Sequence, residues 1–185
     1  MVSLVEAFTA AAHGHPPDAL RHARAALDQA NAIGIGHDLL RWAWPLAARS
    51  AHELNDTGAA GELLALLDAQ KPGRLAPMQR AERDLTRVRL AARDGDPAAV
   101  ASFTAAITSL RELSTPYHLA HGLHDHGQFL IRLHDAQAAE AAIGEARDIA
   151  RNLRCQPLLD RAADITAAKS PVRPASLLRD ARPAR

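Results

Sequence analysis

The chain carries 10 histidines, and imidazole is its most plentiful chemically versatile group. Four of them, His118, His121, His124 and His126, crowd around Asp125, and His134-Asp135 follows shortly after. On a helix turning ~100° per residue, His118, His121 and Asp125 fall within about 60° of one another, opposite Leu119, Leu123, Gly127 and Leu130. Three such donors on one face could hold a transition metal or titrate near neutral pH. No His-Glu-x-x-His signature frames them, and an open helix face lacks the outer partners that orient metal ligands. The expectation is a solvated polar face, with His118, His121 and Asp125 as a weak metal or pH-sensing alternative.

Other motifs reduce to structure. Gly34-Ile35-Gly36 follows a helical pattern rather than a strand, and Leu39 stands where a dinucleotide loop needs its third glycine, so it reads as a turn. The chain's two lysines, Lys71 and Lys169, do not follow a glycine, so no phosphate-binding loop of the Gly-Lys-Ser/Thr type occurs. Ser50 near His52-Glu53 and Ser109 near Arg111-Glu112 form no nucleophile elbow. Cys155 sits at a helix junction with Arg151 and Arg154 nearby to favour its thiolate, or serves there as a small packing residue. The expectation is a chain with no catalytic residue and no cofactor.

The elements that position these groups are helical. Of 185 residues, 42 are alanine and 25 leucine, while Val and Ile together supply 12 and aromatics 3%. That balance favours helix over strand. With 22 basic against 21 acidic residues, the net charge of +1 argues against a broad cationic surface for nucleic acid. The single cysteine excludes an internal disulfide. No apolar run approaches the ~20 residues that span a bilayer. The start, Met1-Val2-Ser3-Leu4-Val5-Glu6, lacks the basic region of a secretory signal, so a cytoplasmic location is expected.

Apolar periodicity bounded by turn residues gives about nine helices. They cover roughly 2–13, 18–32, 37–54, 58–69, 77–93, 98–113, 116–133, 136–153 and 157–168. Asp96 and Pro97 restart the chain after Gly95, and Ser114-Thr115-Pro116 repeats that logic. In the third helix Trp42 and Trp44 widen the apolar arc on opposite flanks, and Pro45 falls on the remaining, polar side. Residues 1–169 therefore read as one helical repeat domain. Residues 170–185, with Pro171, Pro174, Pro183 and four arginines, read as a disordered basic tail.

Four helices begin alike, with a turn followed by Ala19, Ala59, Ala98 or Ala138, a period of about 40 residues. Two helices per such unit mark an α-solenoid of antiparallel hairpins, each burying its apolar face on the next. The stretch Ala120 to Leu130, followed by Ala139, Ile143 and Ala146, resembles a tetratricopeptide repeat. Gly127 matches the small residue of its first helix, and a fainter match lies at Ala48, Ala60, Leu64 and Leu67, whereas Arg87 stands where a small residue belongs. The longer run Ser114 to Ala162 is similar to the last repeat of bacterial LuxR-type ATPase regulators and class III adenylate/guanylate cyclase proteins, although those carry glycine at the place of Arg154. The resemblance implies a non-catalytic interaction module in signal transduction or transcriptional regulation, with a protein or peptide partner.

In such an array the first helix of each hairpin lines the concave side. The residues expected there are Arg41, Arg83, Arg87, His121 and Gln128, with Trp42 or Trp44 as aromatic anchor, because Trp and Arg dominate interface energetics. The alternative reading is a small-molecule- or metal-responsive sensor on the same scaffold. Partner identity and oligomeric state stay open.

Overall fold

A computed structural model describes residues 2–71, 73–93, 96 and 98–169. Among the described residues ten helical segments follow one another: α1 (Val2–Ala12), α2 (Pro16–Leu27), α3 (Ala30–Ile33), α4 (Asp38–Glu53), α5 (Thr57–Asp68), α6 (Pro77–Arg93), α7 (Ala99–Leu113), α8 (Pro116–Arg132), α9 (Ala136–Leu153) and α10 (Gln156–Lys169). No strand occurs among the described residues. The segment α3 is a single turn, so the other nine correspond to the nine helices expected. The second helix ends earlier than its periodicity suggests: after the Asp28 N–H bonds the Arg24 carbonyl, the Gln29 N–H reaches the Ala26 carbonyl at 3.3 Å, and the ladder tightens there. The expected tail at 170–185 lies outside the described residues.

Within each hairpin the chain reverses by one device. The N–H groups of His15, Asp56, Asp96 and Asp135 donate to the carbonyls of Ala10, Ala51, Ala91 and Leu130, at 2.9, 2.9, 3.1 and 3.0 Å. Each bond spans five residues, and before His15, Asp56 and Asp135 it closes a helix that ends on a left-handed residue. Gly14, Asn55 and His134 supply that conformation, with φ of 70°, 58° and 61°. Asp56 and Asp135 then cap the next helix, accepting from the N–H of Ala59 at 2.9 Å and Ala138 at 3.0 Å. The approximate 40-residue period is thus the recurrence of one turn.

Packing follows the same rule along the chain. Helices α1, α4, α6, α8 and α10 lie side by side in succession, while α2, α5, α7 and α9 each pack on their own hairpin partner and on the helix that opens the next hairpin. This is an all-α solenoid of antiparallel hairpins. Tight contact between elements depends on small residues: a Cβ at Gly122 would stand 2.5 Å from the Leu110 side chain, and one at Gly127 only 2.6 Å from Ile143. Pro45 is buried, contrary to the polar side expected for it, because α4 is covered by α1, α2, α5 and α6 and keeps little free surface.

The apolar core is divided. One cluster runs from Leu4 to Leu75 and centres on Trp44, whose indole N–H donates to the Leu63 carbonyl at 2.8 Å. A second runs from Ala81 to Leu158 and includes Phe103, Leu110 and Phe129. Where α4, α6 and α8 meet, Arg49, Glu82, Arg89, His118, His121 and Asp125 are all buried.

Candidate functional site

That junction holds a chain of ionisable groups drawn from successive first helices. From α6, Arg89 places Nε 2.8 Å from Asp125 Oδ2 of α8 and adds a second contact through Nη2. From α10, Arg161 Nη2 reaches Asp125 Oδ1 at 2.5 Å. Also on α6, Glu82 Oε1 lies 2.6 Å from His118 Nδ1. Burial would raise the Asp125 carboxyl, yet the two guanidiniums beside it hold it far below the usual carboxylate range. Glu82 behaves alike: burial opposes ionisation, but His118, Arg89 and Arg49 lower its pKa. His52 of α4, 3.8 Å from Asp125, is pushed down to about 4 by burial and by the surrounding arginines, against the pull of the carboxylate.

The geometry around His121 is different in kind. Arg49 Nη1 of α4 lies 2.6 Å from His121 Nε2, and Arg161 Nη1 of α10 lies 2.8 Å from Nδ1. Burial, Arg49 and Arg161 hold this imidazole well below its usual range, so it is neutral at physiological pH. Arg49 also donates to the Tyr117 hydroxyl at 3.0 Å and stacks over that ring, but among the described residues it makes no ion pair with a carboxylate. It is nevertheless only 5% exposed.

Arg49, His52, Tyr117, His121 and Arg161 open onto a groove with a cavity volume of ≈ 1290 Å³. Its walls come from α1, α4, α6, α8 and α10, the first helices of the hairpins, and from the turn before α10. Phe8, Leu46 and Ala92 give it apolar patches; Arg49, Arg93, Arg132 and Arg161 line it with positive charge, against Glu53, Asp160 and Asp164.

The residues expected on the concave side separate. His121 and Gln128 line the groove. Trp44 is fully buried in the first core cluster and has no surface to offer. Trp42 is half-buried, its ring 5.6 Å from that of His118. Arg41 pairs with Asp38 at 2.5 Å, and Arg83 and Arg87 pair with Asp84 and Asp68, all outside the groove lining. The expectation that His118, His121 and Asp125 form a solvated face is overturned: they are 2%, 9% and 3% exposed. Helix α8 is packed by α6, α7, α9 and α10, so its polar stripe faces other helices. As metal ligands the three are poorly disposed, because His118 Nδ1 is engaged by Glu82, both ring nitrogens of His121 face guanidiniums, and Asp125 is bracketed by two cations. Among the described residues no group of three or more His, Cys, Asp or Glu is arranged to hold a metal ion.

Sequence reasoning missed Arg49, Glu82, Arg89, Tyr117 and Arg161. A signal existed: Glu82 and Arg89, like His118 and Asp125, stand seven residues apart, so a polar stripe recurs on one face of neighbouring first helices. No helix among the described residues is long and apolar enough to cross a membrane. No protein-family model, curated protein or solved structure matches this chain.

Proposed function

We propose that this chain is a non-catalytic recognition module that takes up a peptide or a segment of a partner protein in its concave groove, as part of a bacterial signalling or transcriptional regulator. The groove carries the reading. It is built from one helix of every hairpin, and its volume of ≈ 1290 Å³ exceeds the roughly 300–1,000 Å³ typical of small-ligand pockets. Its mixture of apolar patches and arginines suits a peptide with alternating apolar and acidic groups. The regulatory setting rests on the resemblance of residues 114–162 to the terminal repeats of larger regulators. The absence of a catalytic role is supported by the way Asp125 and Glu82 are held ionised and engaged, which leaves neither poised to exchange a proton near neutral pH.

A second reading, a small-molecule-responsive sensor on the same helices, is favoured by one observation: Arg49 of α4, His121 of α8 and Arg161 of α10 line the groove together, so a ligand there touches helices from both halves of the array. Selection from a displayed peptide library separates the two. The first reading expects peptides whose affinity falls at least about tenfold on Gln128→Ala/Arg132→Ala substitution, two residues of the groove wall. Failure to enrich any peptide, together with saturable binding of a metabolite, would establish the sensor in its place.

A further inference from the structure

His121 carries a contradiction that points to a ligand. A guanidinium only donates hydrogen bonds, and a neutral imidazole accepts at one nitrogen and donates at the other. Yet Arg49 and Arg161 approach both ring nitrogens, at 2.6 and 2.8 Å. Whichever tautomer is present, one contact sets an N–H against an N–H. Protonation makes matters worse, adding a third cation to the group. A doubly acceptor-poor arrangement of this kind is relieved by an oxyanion, which accepts at once from the imidazole N–H and from the guanidinium it displaces.

Charge leads to the same place. The cluster contains two buried guanidiniums, Arg49 and Arg89, and the partly buried Arg161, against the two buried carboxylates Asp125 and Glu82. Asp125 is consumed by Arg89 and Arg161, and Glu82 is hydrogen-bonded to His118 and acts on Arg49 only through space, which leaves Arg49 without an ion pair among the described residues although it is only 5% exposed. An isolated buried charge is costly unless it is compensated. The access route is present, because Arg49, Tyr117, His121 and Arg161 all face the groove.

We propose that Arg49, Tyr117, His121 and Arg161 form a subsite for a phosphoryl group carried by the groove ligand. The number of donors selects phosphoryl over carboxylate. Two guanidinium forks, one imidazole N–H and one phenolic hydroxyl converge from α4, α8 and α10. A carboxylate offers two oxygens in one plane, whereas a phosphoryl group offers three oxygens and up to two negative charges. The subsite rests on the recognition reading only in taking the groove as the binding face.

The test is an NMR titration of the whole chain with inorganic phosphate at fixed ionic strength, following the His121 ring resonances. Saturable shifts are expected, with a dissociation constant on the order of 1 mM, as for one charge-assisted anchor without the rest of a ligand. Arg49→Gln should weaken binding at least tenfold, and Tyr117→Phe about threefold, while Arg111→Gln, far along the array, should leave it unchanged. If Arg49→Gln fails to fold, Arg49→Lys and Tyr117→Phe carry the comparison. No saturation by phosphate, equal affinity for acetate, or indifference to the Arg49 and Tyr117 substitutions would overturn the subsite. A phosphoserine peptide pool is the second arm. Tighter binding than glycerol phosphate supports both the subsite and a peptide partner; equal binding retains the subsite and sinks the peptide partner alone.

Discussion

Arg89 and Asp125 form an ion pair with side chains only 2% and 1% exposed, joining α6 to α8. Buried pairs of this kind add little net stability over a well-packed apolar pair, but removing one partner leaves an uncompensated charge behind. Asp125→Asn should therefore cost about 3–5 kcal/mol, because Arg89 stays buried and Arg161 loses its carboxylate as well. Urea denaturation at pH 7.5 measures this. A loss below about 1 kcal/mol would mean that water or a rearranged side chain compensates the charge and that the junction is not a structural tie.

Acid should weaken the fold in two stages of the same sign. His52 and His124 titrate at about 4 in the native chain, against 6.5 in a model peptide, because burial disfavours their charged forms. Between those values the unfolded chain binds protons that the native chain refuses, so stability rises with pH. Stability should then be flat above about pH 7, decline between about 6.5 and 4, and fall further as the carboxyls of Asp125 and Glu82, lowered in the native state, protonate on unfolding. Urea midpoints from pH 8 to 4 give the profile. A midpoint constant down to pH 5 would contradict the neutral, buried state of these imidazoles.

The architecture was legible because it is local. Gly14, Asn55-Asp56 and His134-Asp135 announce their turns by residue type alone, and the alanines that follow fix the period. The polar junction was hidden for the opposite reason. His118, His121 and Asp125 look like a solvated stripe when α8 is drawn alone, since one helix cannot reveal that its polar face meets arginines 36 and 72 residues away in sequence. Trp44 failed as an anchor likewise, its indole N–H being satisfied by the Leu63 carbonyl inside the core. Charge complementarity between distant helices is a tertiary property, and no period in a single segment encodes it.

The closeness of α8 to α9 makes a packing prediction. A Cβ at Gly127 would lie 2.6 Å from Ile143 Cγ1 and 3.2 Å from its Cδ1, well inside van der Waals contact. Gly127→Ala should cost about 1–3 kcal/mol by overpacking, less up to ~1 kcal/mol regained through helix propensity. In an Ile143→Ala background the added methyl enters vacated space, so the same change should become neutral or stabilising there. Thermal or urea unfolding of the double-mutant cycle checks the coupling. Additive effects of the two substitutions would show that α8 and α9 separate easily and that the glycine is not required for their approach.

His124 supplies the one prediction of a gain. It is 0% exposed, and neither ring nitrogen has a hydrogen-bond partner among the described residues. Burying a polar group without a partner costs about 1–3 kcal/mol, and an apolar side chain of similar size escapes that cost. His124 stands on α8 beside Leu123 and Asp125, yet makes no contact with the Asp125 carboxylate of the kind Arg89 and Arg161 make. His124→Leu should accordingly raise stability by about 1–2 kcal/mol at pH 7 and more at pH 5, where the native imidazole resists protonation that the unfolded one accepts. The double measurement separates two roles. A gain that grows on acidification identifies His124 as a buried neutral burden. A loss of stability at pH 7 would mean that its ring nitrogens bind ordered water or a neighbour on which the packing of α8 depends.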